Sequence, residues 1–276
     1  MNRRSFAFSA AVALIATRAH ARTGPTPNFT ANDVLERTLP TAPLSEWTDA
    51  PGRRREALQV DGAELRGWRY EGGDPRGPTL VIFGGSNNLI RNHDAAYRAL
   101  AKGVGAVVAF DYRGFGFSTG RAAALQLRTD GVAIVDAVAK RSDGLGKVMV
   151  LGYSMGSMIA AFVARERRIG GLVLLAGLSH PDLMAKLYPE RLKGLVPAAD
   201  ALDFLDVTAS VRRSRSPLLI IHGEKDVAVR IEEGRANYEA ADPSSRSFVE
   251  LTGIGHEDLL ANADVQRAVA AFGRTF

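Results

Sequence analysis

Residues 148–164, VMVLGYSMGSMIAAFVA, join two apolar runs through a serine that has glycine two residues away on either side. The run 148–151 has the length and composition of a buried strand, and the residues after Gly156 carry helical spacing. Serine favours neither element, while the two glycines allow the backbone to turn sharply and the helix to pack close. One reading of Ser154 is an ordinary helix cap at a strand-to-helix connection. The other is a nucleophile, its hydroxyl exposed at a strand end beside a helix N-terminus whose partial positive charge favours a nearby anion. The rest of the chain decides between them.

Outward from this joint, short apolar runs alternate with amphipathic ones. The segment 55–72 reads as a hairpin with Asp61-Gly62 as its turn. Strands are expected at 79–85, 106–114, 147–152, 171–177, 217–223 and 247–253. Helices are expected at 93–105, 124–141, after Gly156, near 230–241 and at 257–274. Such alternation implies an α/β fold with a mostly parallel central sheet, helices on both faces and an antiparallel edge from the hairpin. Ligands in such sheets gather at the carboxyl ends of the strands.

The 276 residues suit one large domain or two small ones, and 46% hydrophobic with 24% charged residues is ordinary for a protein with a sizeable core. No repeat or low-complexity tract stands out, and no apolar run of about 18 residues follows the leader, so no membrane span is expected there. Residues 1–21 read as that leader. Arg3-Arg4-Ser5-Phe6 precedes an alanine-rich apolar stretch, and Ala19-His20-Ala21 supplies a small-x-small cleavage pattern. The paired arginines resemble a twin-arginine export signal, which implies export, in a bacterium to the periplasm. The alternative is an amphipathic first helix of the mature protein. Loss of Arg3, Arg4 and Arg18 with the leader lowers the formal charge from +5 to +2, so the basic balance argues for neither nucleic acid nor an anionic membrane as partner. Cysteine is absent, which excludes disulfides, a cysteine nucleophile and thiolate metal sites. No cofactor or metal is expected. Residues 22–54 read as an extended N-terminal segment and 55–276 as the catalytic domain.

A serine hydroxyl needs a base to attack at neutral pH. The chain has five histidines. His20 goes with the leader, His93 opens a helix as a cap or surface residue, and His180 lies in a connecting segment beside Pro181. His222 ends an apolar strand, where a buried ring satisfied by backbone is expected. His256, in LTGIGHEDLL just after the last strand, shares the sheet edge of Ser154 and is the candidate base. A carboxylate must hold its tautomer and stabilise the imidazolium. IIHGEKDVAV offers Asp226, with Glu224 as the alternative and Asp258, beside the histidine, as a weaker one.

GYSMG, HGEKD and GIGHED, each after its expected strand, together with DYRGFGFSTG at 111–120, resemble the α/β-hydrolase superfamily from about residue 55 to 276. The resemblance implies a Ser154–His256–Asp226 triad. It also implies an oxyanion hole made by the backbone N–H groups of Met155 and, from the loop after the third strand, Ser86. Many relatives carry His-Gly in that loop where this chain has Gly84-Gly85-Ser86-Asn87-Asn88, so Gly85 can replace Ser86 as donor. Asp111 and Arg113 admit contact with substrate or, the favoured reading, a pair that holds their glycine-rich loop.

About 40 residues separate the strands at 171–176 and 217–222, far more than a usual connection. In this fold such an insertion, about 178–215, forms a small helical cap over the serine. Leu183, Met184, Leu187, Leu192, Leu195 and Val196 recur at near-helical spacing, suited both to packing the cap and to facing an acyl chain. Asp200, Asp203 and Asp206 are spaced as a solvated helix face and not as a metal site. The expectation is an exported serine hydrolase cleaving small carboxylic esters through an acyl-enzyme. Thioester or amide cleavage, or acyl transfer to peroxide, would use the same residues. A non-catalytic ligand-binding homologue is the alternative, and an aspartate-nucleophile relative is disfavoured by serine at 154.

Overall fold

Strand residues that alternate between two apolar faces set the architecture. The structure, a computed structural model, describes residues 28–34, 41–86, 89–192, 196–197 and 199–276. The leader assigned to 1–21 lies outside the described residues. In chain order the strands are β1 (Asn28–Phe29), β2 (Arg53–Val60), β3 (Ala63–Glu71), β4 (Thr79–Phe83), β5 (Ala106–Phe110), β6 (Val148–Tyr153), β7 (Gly171–Leu175), β8 (Val196–Pro197), β9 (Leu218–Gly223) and β10 (Arg246–Leu251). The α-helices begin with α1 (Asp94–Ala101), α2 (Ala124–Ala139) and α3 (Gly156–Glu166). The insertion between β7 and β9 holds α4 (Pro181–Leu187), α5 (Pro189–Leu192), α6 (Ala199–Leu205) and α7 (Val207–Arg213). Then come α8 (Ile231–Ala240) and α9 (Ala263–Gly273).

Eight strands form one sheet in the order β10-β9-β7-β6-β4-β5-β3-β2. β3 runs antiparallel to both β2 and β5, and the remaining pairs are parallel. The hairpin and its Asp61-Gly62 turn fall where the sequence puts them, with Gly62 at φ +69°. Along the central strands, Leu80, Ile82, Met149, Leu151 and Ile221 pack on the side of α1 and α9. Their neighbours Val81, Phe83, Val148, Val150 and Ile220 pack on the side of α2, α3 and α7. Both faces are covered, which is why these strands are apolar throughout rather than alternating with polar residues. Full burial of each large aliphatic side chain contributes about 1.5–3 kcal/mol before conformational entropy is subtracted.

The insertion packs differently from the sequence expectation. Its burial comes chiefly from Ala201, Phe204, Val207 and Val211, which the spacing argument did not name, with α7 lying against both α3 and α8. Leu183, Met184 and Leu187 are half-buried, and Met184 reaches the core cluster. The side chains of Leu192, Leu195 and Val196 lie outside what is described. Asp203 is paired with the buried Arg128 of α2 at 2.5 Å, Asp206 caps α7 through Ala209 N–H, and Asp200 accepts from Ala31 N–H. The N-terminal segment thus does more than extend. β1 pairs in parallel with β8, and Asn32 accepts from Ala124 N–H at the start of α2. The closing helix starts at 263 instead of 257, because the Asn262 side chain caps it by accepting from Asp264 N–H. That leaves His256 on a loop.

DYRGFGFSTG is held by two separate devices and not by an Asp111–Arg113 pair. Arg113 forms a bidentate, buried pair with Asp130 of α2, at 2.8 and 2.6 Å, and donates to the Asp61 carbonyl. Asp111 accepts instead from the backbone N–H groups of Ile90 and Phe117, each at 2.9 Å. Gly116 has φ +52°, and a Cβ there would collide with the Asp111 carboxylate. Burial pushes Asp111 up to about 6 against the pull of those two N–H donors. An unfolded aspartate titrates near 3.8, so the fold binds this proton more tightly than the unfolded chain does. Its contribution to stability is fully present below the unfolded value and is lost as pH rises through about 6. Urea denaturation from about pH 4 to 6.5 should therefore show a steeper fall in unfolding free energy for the wild type than for Asp111→Asn. Parallel curves would mean that Asp111 is not the titrating group.

Candidate active site

Every residue that the sequence singled out for chemistry sits just beyond a strand end. Ser154 follows β6 at φ +53°, a left-handed conformation uncommon for serine and held by its surroundings. Its N–H donates to the Leu175 carbonyl and its carbonyl accepts from Ser157 N–H, so the turn is fixed at both ends. The bracketing glycines are required by close approach. A Cβ on Gly152 would fall 2.7 Å from Ala160 Cβ, and one on Gly156 would collide with the Phe83 carbonyl. α3 is thereby pressed onto the exit of β4, with Met155 at its N-cap.

The exposed hydroxyl expected from the strand–turn–helix pattern is not what the structure shows. Ser154 is 1% exposed, and its Oγ is buried without a hydrogen-bond partner. Gly85 is one reason: a Cβ there would sit 3.2 Å from Ser154 Cβ, so the loop leaving β4 lies directly against the serine. Tyr112 holds that loop by donating to the Gly84 carbonyl at 2.6 Å. Ser86 follows in a turn and is half-buried. Gly84–Ser86 and the N-terminus of α3 thus meet beside Ser154.

His256 and Asp226 come together across two loops. His256 Nδ1 and Asp226 Oδ2 are 2.7 Å apart, with the Asp226 side chain fully buried. Asp226 Oδ1 accepts from Ala228 and Val229 N–H groups, both at 2.9 Å. Glu224, the alternative acid, is occupied elsewhere and accepts from Gly253 N–H at 2.8 Å. Asp258 is exposed. The two loops are laced by backbone bonds from Glu224 N–H to the Leu251 carbonyl and from Lys225 N–H to the Ile254 carbonyl.

The remaining histidines among the described residues take structural places. His180 caps α4 by accepting from Leu183 N–H at 3.3 Å, and His93 is half-buried at the start of α1. His222 is fully buried, with Nε2 2.9 Å from the Val229 carbonyl; burial lowers its pKa, partly offset by that bond and by Asp226. The neutral ring therefore donates from Nε2, leaving Nδ1 without a partner and against Gly234.

Three residues near the site were not singled out from the sequence. Tyr153 stacks on the His256 ring at 5.1 Å and donates to the His256 carbonyl at 2.9 Å. Its place inside GYSMG was the available signal. Glu233 of α8 is fully buried and pushed up to about 7 by desolvation, countered by donors from Tyr188 and Ser179. Tyr188 bridges from the insertion to Glu233 and to Arg230 N–H, both at 2.7 Å. Neither had a sequence signal, because the helix and insertion that carry them meet only in the fold. A groove of about 390 Å³ at this junction is lined by Leu187, Tyr188, Pro189, Glu190, Val227 and Arg230. Among the described residues no cluster of three or more histidines or carboxylates is arranged to hold a metal.

A family model described as serine aminopeptidase, S33, matches residues 74–204. The chain is 30% identical over 232 residues to protein ABHD12B of Homo sapiens, covering 76% of this chain and 62% of that protein. It thus spans about three-fifths of that relative's length. An uncharacterized protein of Mycobacterium tuberculosis (strain CDC 1551 / Oshkosh) is 31% identical over 209 residues, covering 72% of this chain and 70% of the relative. Among solved structures, the Pyrococcus furiosus esterase Pf2001 matches with a TM-score of 0.65 at 19% identity, covering 87% of this chain and 98% of the other. At that identity the likeness concerns the fold alone. With the eight-stranded sheet and its turn at Ser154, these matches establish that the chain belongs to the α/β-hydrolase superfamily.

Proposed function

We propose that the protein is a serine hydrolase that cleaves carboxylic esters through an acyl-enzyme. The observation that carries the reading is the 2.7 Å contact between His256 Nδ1 and the buried Asp226, at the same sheet edge as a serine held at φ +53°. With Nδ1–H donated to Asp226, His256 is fixed in the tautomer whose Nε2 can accept the serine proton. Ser154 Oγ would attack the carbonyl while His256 takes its proton. His256 would return that proton to the departing alcohol and then activate water for deacylation. Asp226 stabilises the imidazolium between these steps. Its two backbone donors compensate the buried charge and leave Oδ2 for the histidine.

The Met155 N–H, at the start of an 11-residue helix, and the N–H of Ser86 or Gly85 are proposed to hold the oxyanion. Each such donor is worth about 100- to 1,000-fold in rate. The Pyrococcus furiosus neighbour that shares the fold is an esterase, which is compatible with the ester reading. Thioesters, amides and peroxide as acyl acceptor remain within reach of the same residues.

Ester hydrolysis by purified protein, measured with p-nitrophenyl esters of increasing chain length, tests the assignment. Ser154→Ala should lower kcat by at least about 1,000-fold and Asp226→Asn by about 10,000-fold, with both variants folded. Retained turnover in Ser154→Ala would exclude it as nucleophile. A folded wild type inactive on every acyl substrate would favour the non-catalytic binder.

We also propose that residues 1–21 direct export to a bacterial periplasm through their paired arginines. Fractionation should find the protein in the periplasm only when Arg3 and Arg4 are intact. Equal export of the doubly lysine-substituted chain would reject a twin-arginine signal.

A further inference from the structure

The loop between β9 and α8 that carries Asp226 is anchored at both ends, and the far anchor comes from the insertion. At the near end Glu224 and Lys225 are bonded to the histidine loop, as described above. At the far end Val229 is held twice, by Asp226 Oδ1 on its N–H and by His222 Nε2 on its carbonyl. The next residue, Arg230, is the N-cap of α8, and its side chain makes no cap hydrogen bond. Its N–H donates to the Tyr188 hydroxyl at 2.7 Å, 42 positions earlier in the chain. That hydroxyl donates in turn to Glu233 Oε1 at 2.7 Å. Glu233 Oε2 accepts from Ser179 N–H at 2.8 Å, just beyond β7.

We infer that Tyr188 and Glu233 are positioning residues that set the Asp226 loop against His256, an inference that rests on Asp226 being the catalytic acid. Hydrogen bonds, joined through the Val229–Arg230 peptide link, form one path: Asp226, Val229, Arg230, Tyr188, Glu233, Ser179. Glu233, its penultimate member, is a fully buried carboxylate with no lysine or arginine paired to it among the described residues. Such a group is costly to bury, and an apolar side chain would fill the space at lower cost. What a carboxylate adds is direction. Two oxygens accept from opposite sides, one from the strand end and one from the insertion, so the tyrosine proton is drawn to Glu233 and an oxygen lone pair is turned to accept from the Arg230 N–H. The turn that supplies both Asp226 donors is thereby fixed from outside.

Tyr188 also lines the groove beside Val227, so a substrate contact is the competing role, and the two predict different kinetics. The test uses the full chain and the variants Tyr188→Phe and Glu233→Gln, each removing polar contacts with little change in volume. Turnover of a p-nitrophenyl ester is measured alongside the downfield proton NMR resonance of His256 Nδ1–H. A positioning role predicts that each variant loses about 10- to 100-fold in kcat with KM within about twofold. The resonance shifts or broadens, and the double variant is no worse than the poorer single one. If Glu233→Gln does not fold, Tyr188→Phe, which removes one hydroxyl from a half-buried residue, still decides. Folded variants with unchanged kcat and resonance, or a change confined to KM, would overturn the inference. Failure of the triad reading itself would look different: Ser154→Ala would keep its activity, while the resonance would still report whether Tyr188 and Glu233 shape the His256–Asp226 contact.

Discussion

The contact between His256 Nδ1 and Asp226 Oδ2 is the interaction around which the site is arranged. It joins residues 30 positions apart on loops that leave neighbouring parallel strands, β9 and β10. An aspartate with a fully buried side chain persists only if its oxygens are met by donors, and here both are: one by the imidazole, the other by two backbone N–H groups. Satisfying them fixes the turn 226–229, the tautomer of His256 and the direction of its far nitrogen together. Tyr153, stacked on the ring and bonded to its carbonyl, holds the histidine from the serine side.

The sheet supplies what the loops cannot supply alone. Parallel pairing of β6, β7, β9 and β10 brings their carboxyl ends to one edge, so residues 154, 226 and 256 all lie along that edge, each within a few residues of its strand. Helices on both faces bury the central strands almost completely, leaving the loops as the freely variable part. The strained Ser154 backbone draws on that rigidity. It is held by the Leu175 carbonyl and by a helix that glycine lets approach the end of β4.

Much of this was legible in the sequence, for identifiable reasons. Apolar runs of strand length between amphipathic helices mark a covered parallel sheet, and the Asp61-Gly62 turn marks its antiparallel hairpin. The strand-end positions of Ser154, Asp226 and His256 were readable because each follows an apolar run within a few residues, where local pattern predicts position. The misplaced details depend on contacts between distant segments. Exposure of Ser154 could not be judged because the loop at Gly85 covers it from another strand. The Asp111–Arg113 pair was replaced by Asp130, 17 positions beyond Arg113, and by two backbone donors. The core-facing residues Val207 and Val211 of the insertion follow from how α7 packs on α3 and not from spacing.

We propose that this arrangement activates Ser154 in particular. Peptide mapping of the adduct formed with a fluorophosphonate, by mass spectrometry of the intact wild-type protein and its digest, should find a single phosphonyl group on Ser154, absent when His256 is replaced by alanine. A modification on any other residue, or an unmodified Ser154 in folded protein after prolonged exposure, would contradict it.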